Sequence, residues 1–407
     1  MRVVLITYHT IGGAGSAVLR LHNRLRDYGI DSQLVLATNL HYAAVPAQPS
    51  WLKQIRQKCR RKFARVYRRC FLREDYEKYA FFSPKELEPI KILNCGELVK
   101  DGDVVIFGWL GHIMNSRNMR EILQGKNVKA YWFAFDMAPV TGGCHYFWDC
   151  LGYQKDCRHC PAVAQFDFAA RQLASKKRTL AGLQIGLLAS SDTGLRTFRK
   201  ASLQFSPYHK LPYPINAEVF TPAEVPVKTT SGINVLFNAQ DRDVVRKGFN
   251  HVVQCAKLLD KMLPQHMRVN FMTVHYADHR PHFEGLTRCQ LLDCGPPTTT
   301  DADLAKLYQQ ADVLLCTSIE DLSPLMVNEA LLCGVPVIGF DNCSNSEYVR
   351  NGGNGYLIPP LDVAQMAEVI SDYCVGRLVF NDKNAIRQSV LELHAKEHWL
   401  KYFKELL

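Results

Sequence analysis

The 407-residue chain has no apolar run approaching the roughly 20 residues that cross a bilayer, so no membrane-spanning helix is expected. Its opening, Met1-Arg2-Val3-Val4-Leu5-Ile6-Thr7, is too short and too soon interrupted for a signal peptide, and a cytosolic protein is expected. Low-complexity segments and short-period repeats are missing as well, which leaves out solenoids and disordered or fibrous chains. With 47% hydrophobic and 22% charged residues, the composition is that of a folded enzyme of two or three ordinary domains.

One absence is local. No acid interrupts residues 53–73, where Lys53, Arg56, Lys58, Arg60, Arg61, Lys62, Arg65, Arg68, Arg69 and Arg73 stand. These make 10 of the 49 Lys and Arg, and the remaining 39 equal the 39 Asp and Glu, so the net charge of +10 belongs to this stretch. Across residues 51–73, Leu52, Ile55, Cys59, Val66 and Cys70 recur at helical spacing, with Phe63 and Phe71 beside them. Such a helix fits a membrane interface, its cations on anionic lipid heads. A solvated helix packed on the first domain and a nucleic-acid contact compete with that reading, the last without a reading motif or aromatic platform to support it.

Strand-like runs at residues 3–7, 33–37, 104–107, 128–135 and 184–189 alternate with helical spacing such as Val18, Leu21 and Leu25. Ser206-Pro207, Pro212, Pro214 and Pro222 then interrupt the chain, and the rhythm restarts with strands at 233–238, 268–274, 313–317 and 335–340. The expected architecture is α/β, two tandem Rossmann-like domains over residues 1–207 and 208–381. Residues 382–407, with Ile386, Val390, Leu393, Trp399 and Phe403 at helical spacing, form a C-terminal helix able to pack back across either domain.

Ten of the fourteen cysteines are scattered, as buried thiols are in a reducing compartment. Cys144, Cys150, Cys157 and Cys160 instead fall within 17 residues. In a cytosolic chain that clustering favours structural zinc over two disulfides, with His145 or His159 able to replace one ligand. The cluster would shape a ligand site and take no part in chemistry.

Gly12-Gly13-Ala14-Gly15 lies between a strand and a helix, where a backbone can approach an anion closely, although a tight turn has the same look. A sharper signal is the run from Ser318 to Gly339: Asp321 in a polar loop after a strand, Glu329 eight residues on inside a helix, then Gly334-Val335-Pro336. It sets two carboxylates beside the carboxyl end of a parallel sheet, where open α/β folds bind ligands. Read blandly, it is an acidic cap and a solvated helix glutamate. Three Asp-x-Asp pairs, Asp101/Asp103, Asp241/Asp243 and Asp301/Asp303, read as turns and caps before they read as metal ligands.

The run from Asp321 to Val337 resembles the signature of GT-B retaining glycosyltransferases of family 4. Further pieces similar to that family follow its order: Gly12-Gly13, Arg246-Lys247-Gly248-Phe249, Glu347 and Asn354-Gly355-Tyr356. The stretch from Asp136 to Tyr146, with its later cysteines, is similar to bacterial exopolysaccharide glycosyltransferases of the colanic-acid type. The resemblance implies two domains facing a cleft, the first on the acceptor side and the second binding a UDP- or GDP-sugar. It implies that Glu329 holds the ribose, that Asp321 holds hydroxyls of the donor sugar, and that Ser323 and Leu325 belong to the same donor site. Lys247, with Arg246 or Arg242, would neutralise the diphosphate, which Gly12 and Gly13 would face from the first domain. Asp136 would orient the acceptor.

No catalytic metal is implied, and transfer would retain configuration, onto a lipid-linked or saccharide acceptor in polysaccharide assembly. With the basic segment, this places the enzyme peripherally at the inner face of a membrane, with no nucleic-acid partner. The chain departs from the family twice: Phe135 stands where a histidine usually precedes the aspartate, and Gly108 where another precedes the tryptophan, Trp109. His112 or His145 are candidates to take over. A degenerate sugar-nucleotide-binding protein and a GT-B nucleotide-sugar epimerase are the alternatives.

Overall fold

The computed structural model describes residues 1–37, 77–80, 85–87, 90, 95–111, 114–163, 167–224, 232–237, 244–274, 277–296, 298 and 300–407. The basic segment 51–73, His112 and Arg242 lie outside them. The contacts divide the chain into two units, Met1–Pro214 with Lys401–Leu407, and Ile215–Leu400. Among the described residues no helix is long and apolar enough to cross a membrane.

The first unit runs β1 (Val3–Thr7), α1 (Gly12–Asp27), β2 (Ser32–Leu36), β3 (Val104–Phe107), α2 (Ser116–Leu123), β4 (Lys129–Phe133), α3 (Phe168–Leu180), β5 (Ile185–Ala189), α4 (Asp192–Arg199) and β6 (Tyr208–Lys210). Its six described strands are ordered β2-β1-β3-β4-β5-β6, every pair parallel. A parallel strand covered on both faces needs an unbroken apolar run, and β1, β3 and β5 are buried at every position. Side chains fix where two of the helices start. The Asn115 side chain accepts from the N–H groups of Arg117 and Asn118 at the head of α2, and Ser191 Oγ accepts from Gly194 N at 3.0 Å before α4. The chain's last residues close this unit: Phe403 and Leu406 are fully buried, and the Tyr131 hydroxyl donates to Leu406 O at 3.0 Å.

The second unit holds β7 (Ile233–Phe237), α5 (Phe249–Met262), β8 (Val269–Thr273), β9 (Cys289–Asp293), α6 (Asp301–Gln309), β10 (Val313–Cys316), α7 (Leu325–Leu332), β11 (Val337–Phe340), α8 (Asn345–Tyr348), β12 (Gly355–Ile358), α9 (Val363–Cys374) and α10 (Lys383–His394); α11 (Lys396–Lys404) leads out of it. Its described strands are ordered β12-β11-β10-β7-β8-β9, again all parallel. Because side chains alternate across a strand, this sheet has two cores. Val235, Phe237, Val313, Leu315, Ile338 and Phe340 face α5 and α9, while Leu236, Leu314, Cys316 and Val337 face α6, α7 and α10.

In each sheet the chain reverses its direction of travel once, between β1 and β3 in the first and between β7 and β10 in the second. At such a point the two loops leave in opposite directions and open a crevice at the carboxyl ends of the strands. The described parts of the loops concerned are 8–11, 108–111 and 114–115 in the first unit, and 244–248 and 317–324 in the second.

Candidate functional site

In the second unit the loops at the reversal are stitched together by one side-chain and one backbone hydrogen bond. Thr317 Oγ1 donates to Lys247 O at 3.0 Å and Ile319 N donates to Arg246 O at 2.8 Å. Gly248 makes this approach possible: its φ is +74°, and a Cβ there would lie 2.1 Å from Thr317 O. The stitching delivers Arg246 and Lys247 to Asp321. Lys247 Nζ donates to Asp321 Oδ2 at 2.7 Å and Arg246 Nη1 to the same oxygen at 3.3 Å, while Ser323 N donates to Oδ1 at 3.4 Å. Burial opposes the charge on Asp321, but Lys247 and Arg246 outweigh it and hold the carboxyl below its ordinary value.

Asp321, Ser323 and Leu325 follow one another into α7, whose N-cap, Pro324, supplies no side-chain acceptor to the first turn. Glu329 lies further along α7 and is 4% exposed. Its Oε2 accepts from the Tyr308 hydroxyl of α6 at 2.8 Å, so the expected solvated alternative for this glutamate does not hold. Glu347, on α8, is half-buried.

In the first unit Gly12 and Gly13 open α1 with space around both, and neither a capping side chain nor an acid occupies that first turn. Asp136 is the centre of a buried polar cluster. Its Oδ2 is 2.6 Å from His145 Nδ1 and accepts from Trp109 Nε1 at 3.0 Å, and its Oδ1 accepts from Ala138 N at 2.8 Å. Burial again opposes the charge, and His145 with the donors from Ala138 and Trp109 holds the Asp136 carboxyl below its ordinary value. Trp109 also packs with Tyr8 and His9, ring centroids 5.3 and 5.2 Å away. Trp109, Asp136 and His145 border a pocket also lined by Trp132, Phe135 and Lys176 among others.

At Phe135 and Gly108, where the resemblance leads one to expect histidines, packing accounts for the residue present. Phe135 stacks on Tyr213 with centroids 5.4 Å apart and planes 3° from parallel. At Gly108 a Cβ would lie 2.9 Å from Val18 Cγ2, so this backbone has no room for a histidine.

Sequence reasoning missed Lys176 and Tyr308. Lys176 is 3% exposed, donates to Ala138 O at 2.6 Å and Thr141 O at 3.0 Å, and its pKa is lowered by burial. Its signal was available, since it shares the buried stripe of α3 with Ala169, Leu173 and Leu180. Tyr308 had no comparable signal, because its partner Glu329 is 21 residues away.

Cys144, Cys150, Cys157 and Cys160 line one small cavity with Thr141, Phe147 and Tyr153, and all four are free thiols. A hydrogen bond with Cys160, then burial, pushes Cys144 well above its usual pKa, and burial pushes Cys157 up to about 12. Cys144 hydrogen-bonds with Cys160, Cys150 Sγ accepts from Gly152 N at 3.4 Å, and among the described residues no group of three or more His, Cys, Asp or Glu is arranged to hold a metal ion. His145 turns to Asp136 instead of joining them. Asp103 is held by Arg2 at 2.6 Å, and Asp303 forms a reciprocal cap with Thr300. Asp241 and Asp243 lie outside the described residues.

Residues 296–383 match the family model described as Glycosyl transferases group 1, a span that contains Asp321, Ser323, Leu325, Glu329 and Glu347. The family match is confined to this span of the second unit. Over 59 residues it is 41% identical to the UDP-N-acetylglucosamine--peptide N-acetylglucosaminyltransferase GtfA subunit of Streptococcus pneumoniae serotype 4. That match covers 14% of this chain and 12% of the relative.

Solved structures agree over a greater length. A mutant of S. aureus TarM in complex with Fondaparinux, alpha-GlcNAc-glycerol and UDP has a TM-score of 0.61 at 12% identity, covering 100% of this chain and 99% of that one. Sucrose-phosphate synthase from Thermosynechococcus elongatus gives 0.60 at 14%, covering 100% and 98%. Anabaena HepE in complex with UDP-glucose gives 0.57 at 12%, covering 100% and 98%. The fold is GT-B, two parallel α/β sheets, as expected from the sequence.

Proposed function

We propose that the chain is a retaining glycosyltransferase that moves a sugar from a UDP- or GDP-sugar to a saccharide or lipid-linked acceptor in polysaccharide assembly. The observation that carries this reading is the Lys247, Arg246 and Asp321 cluster at the reversal point of the second sheet, with Asp321 inside the matched domain. A cation aimed at a departing diphosphate stabilises the transition state more than the ground state. Lys247 and Arg246 take that part, and the uncapped first turn of α7 adds N–H donors. Asp321 holds donor-sugar hydroxyls, Glu329 takes the ribose, and Asp136 with His145 orients the acceptor hydroxyl. As the bond from the anomeric carbon to phosphate oxygen breaks, the acceptor oxygen bonds that carbon and its proton passes to the leaving diphosphate. No step needs a metal, so turnover in EDTA tests that part.

A melting-temperature screen against nucleotide sugars, followed by turnover of those that shift it, tests the reading. A shift with turnover supports a transferase. A shift with UDP or GDP and no turnover supports a second reading, a binding protein without catalysis, which the Phe135 stack and the crowded Gly108 favour.

Two further parts stand apart from the chemistry. Residues 51–73 bind anionic lipid, which co-sedimentation with liposomes checks. The four cysteines bind structural zinc by drawing together from their present thiol contacts, a part supported by their convergence on one cavity and refuted by zinc-free purified protein.

A further inference from the structure

The position of Asp321 depends on a loop that hangs between β10 and α7. On one side this loop is tied to the backbone of Arg246 and Lys247. On the other it meets the turn that follows β11. There Asn342 Nδ2 donates to Ser318 O at 2.9 Å, and Asp321 N donates to Cys343 Sγ at 3.1 Å. The turn itself is anchored: Asp341 N donates to Ile358 O at 2.6 Å, and Asn345 Nδ2 donates to Phe340 O at 2.9 Å.

Cys343 has a φ of 57°, in the left-handed region that glycine takes without strain and a side chain takes at a penalty. A cysteine here keeps a sulfur where glycine would be easier. We propose that Cys343 is a positioning residue for Asp321: its sulfur accepts the Asp321 N–H and so sets the angle at which the carboxylate meets Lys247 and Arg246. The inference rests on reading those three residues as the donor site. It requires Cys343 as a neutral thiol, since a thiolate would repel the carboxylate beside it. Burial first, then Asp321, keeps its pKa well above the usual value.

Three variants of the full chain test this: Cys343→Gly, Cys343→Ala and Cys343→Ser. Cys343→Gly relieves the backbone strain, so its melting temperature should hold or rise, while the lost acceptor raises KM for the nucleotide sugar by about fivefold to tenfold. Cys343→Ser keeps an acceptor and should stay near the wild type. Exchange of the Asp321 amide proton, read by mass spectrometry or NMR, should be faster in the glycine and alanine variants than in the serine variant. Wild-type KM and wild-type amide protection in Cys343→Gly would overturn the inference, as would a serine variant no better than alanine in both readouts. A wild-type chain that turns over no nucleotide sugar would instead remove the donor-site reading, and the amide exchange would still decide whether Cys343 holds Asp321.

Discussion

Replacing Lys247 by alanine removes the closer of the two cations on Asp321, 2.7 Å from Oδ2, and leaves Arg246 at 3.3 Å. Two consequences separate. For folding, the lost ion pair is only partly shielded, with the Lys247 side chain 23% exposed and Arg246 still present, so destabilisation should be about 1–2 kcal/mol. For catalysis, losing one donor aimed at developing charge costs about 100- to 1,000-fold in kcat. The assay is release of the nucleoside diphosphate from the donor, with thermal unfolding run on the same samples. A Lys247→Ala protein that unfolds within a few degrees of the wild type but turns over within threefold of it would refute the assignment of Lys247 to the leaving group. A rise in KM alone, with kcat intact, would place Lys247 in ground-state binding.

Three other perturbations test neighbouring parts of the account. Tyr308→Phe removes the hydroxyl that donates to buried Glu329 and should cost about 1–3 kcal/mol in urea unfolding, with weaker nucleotide binding by calorimetry. Asp136 titrates below its ordinary value in the folded chain, so its stabilising contribution is complete above the ordinary carboxylate pKa and is lost as pH falls through the lower, folded one. Melting temperature against pH should therefore fall in that acid window for the wild type and fall less for Asp136→Asn; parallel curves would count against the Asp136–His145 pairing. Gly108→Ala drives a methyl to 2.9 Å from Val18 Cγ2 and should destabilise by about 1–3 kcal/mol, and an unchanged melting temperature would remove the packing explanation for the missing histidine.

The strands that the sequence failed to announce share a position. β6, β9 and β12 all lie at sheet edges, and each leaves at least two of its residues only partly buried or exposed. Tyr208-His209-Lys210 is half-buried throughout and carries no apolar run, because an edge strand has one neighbour and wet flanks. Central strands such as β1 and β10 are covered on both faces, and the sequence runs 3–7 and 313–317 announce the observed Val3–Thr7 and Val313–Cys316.

The site divides in a similar way. Asp321 and Glu329 were legible because a strand, loop and helix fix their spacing locally. The meeting of Lys247 with Asp321 across 74 residues, and of Cys343 with Asp321 across 22, follows from strand order, which places β7, β10 and β11 side by side. Asp136 was named for the acceptor, but the indole of Trp109 that supports it comes from the loop after the neighbouring strand β3, 27 residues earlier.

The central claim, a sugar-transfer site at the Lys247, Arg246 and Asp321 crevice, is tested most directly by incubating the purified chain with labelled UDP- and GDP-sugars and measuring cleavage of the sugar–phosphate bond. The account predicts turnover of one donor class by the wild type and its loss in Lys247→Ala. Absence of cleavage with every donor, or equal cleavage by both proteins, would contradict it.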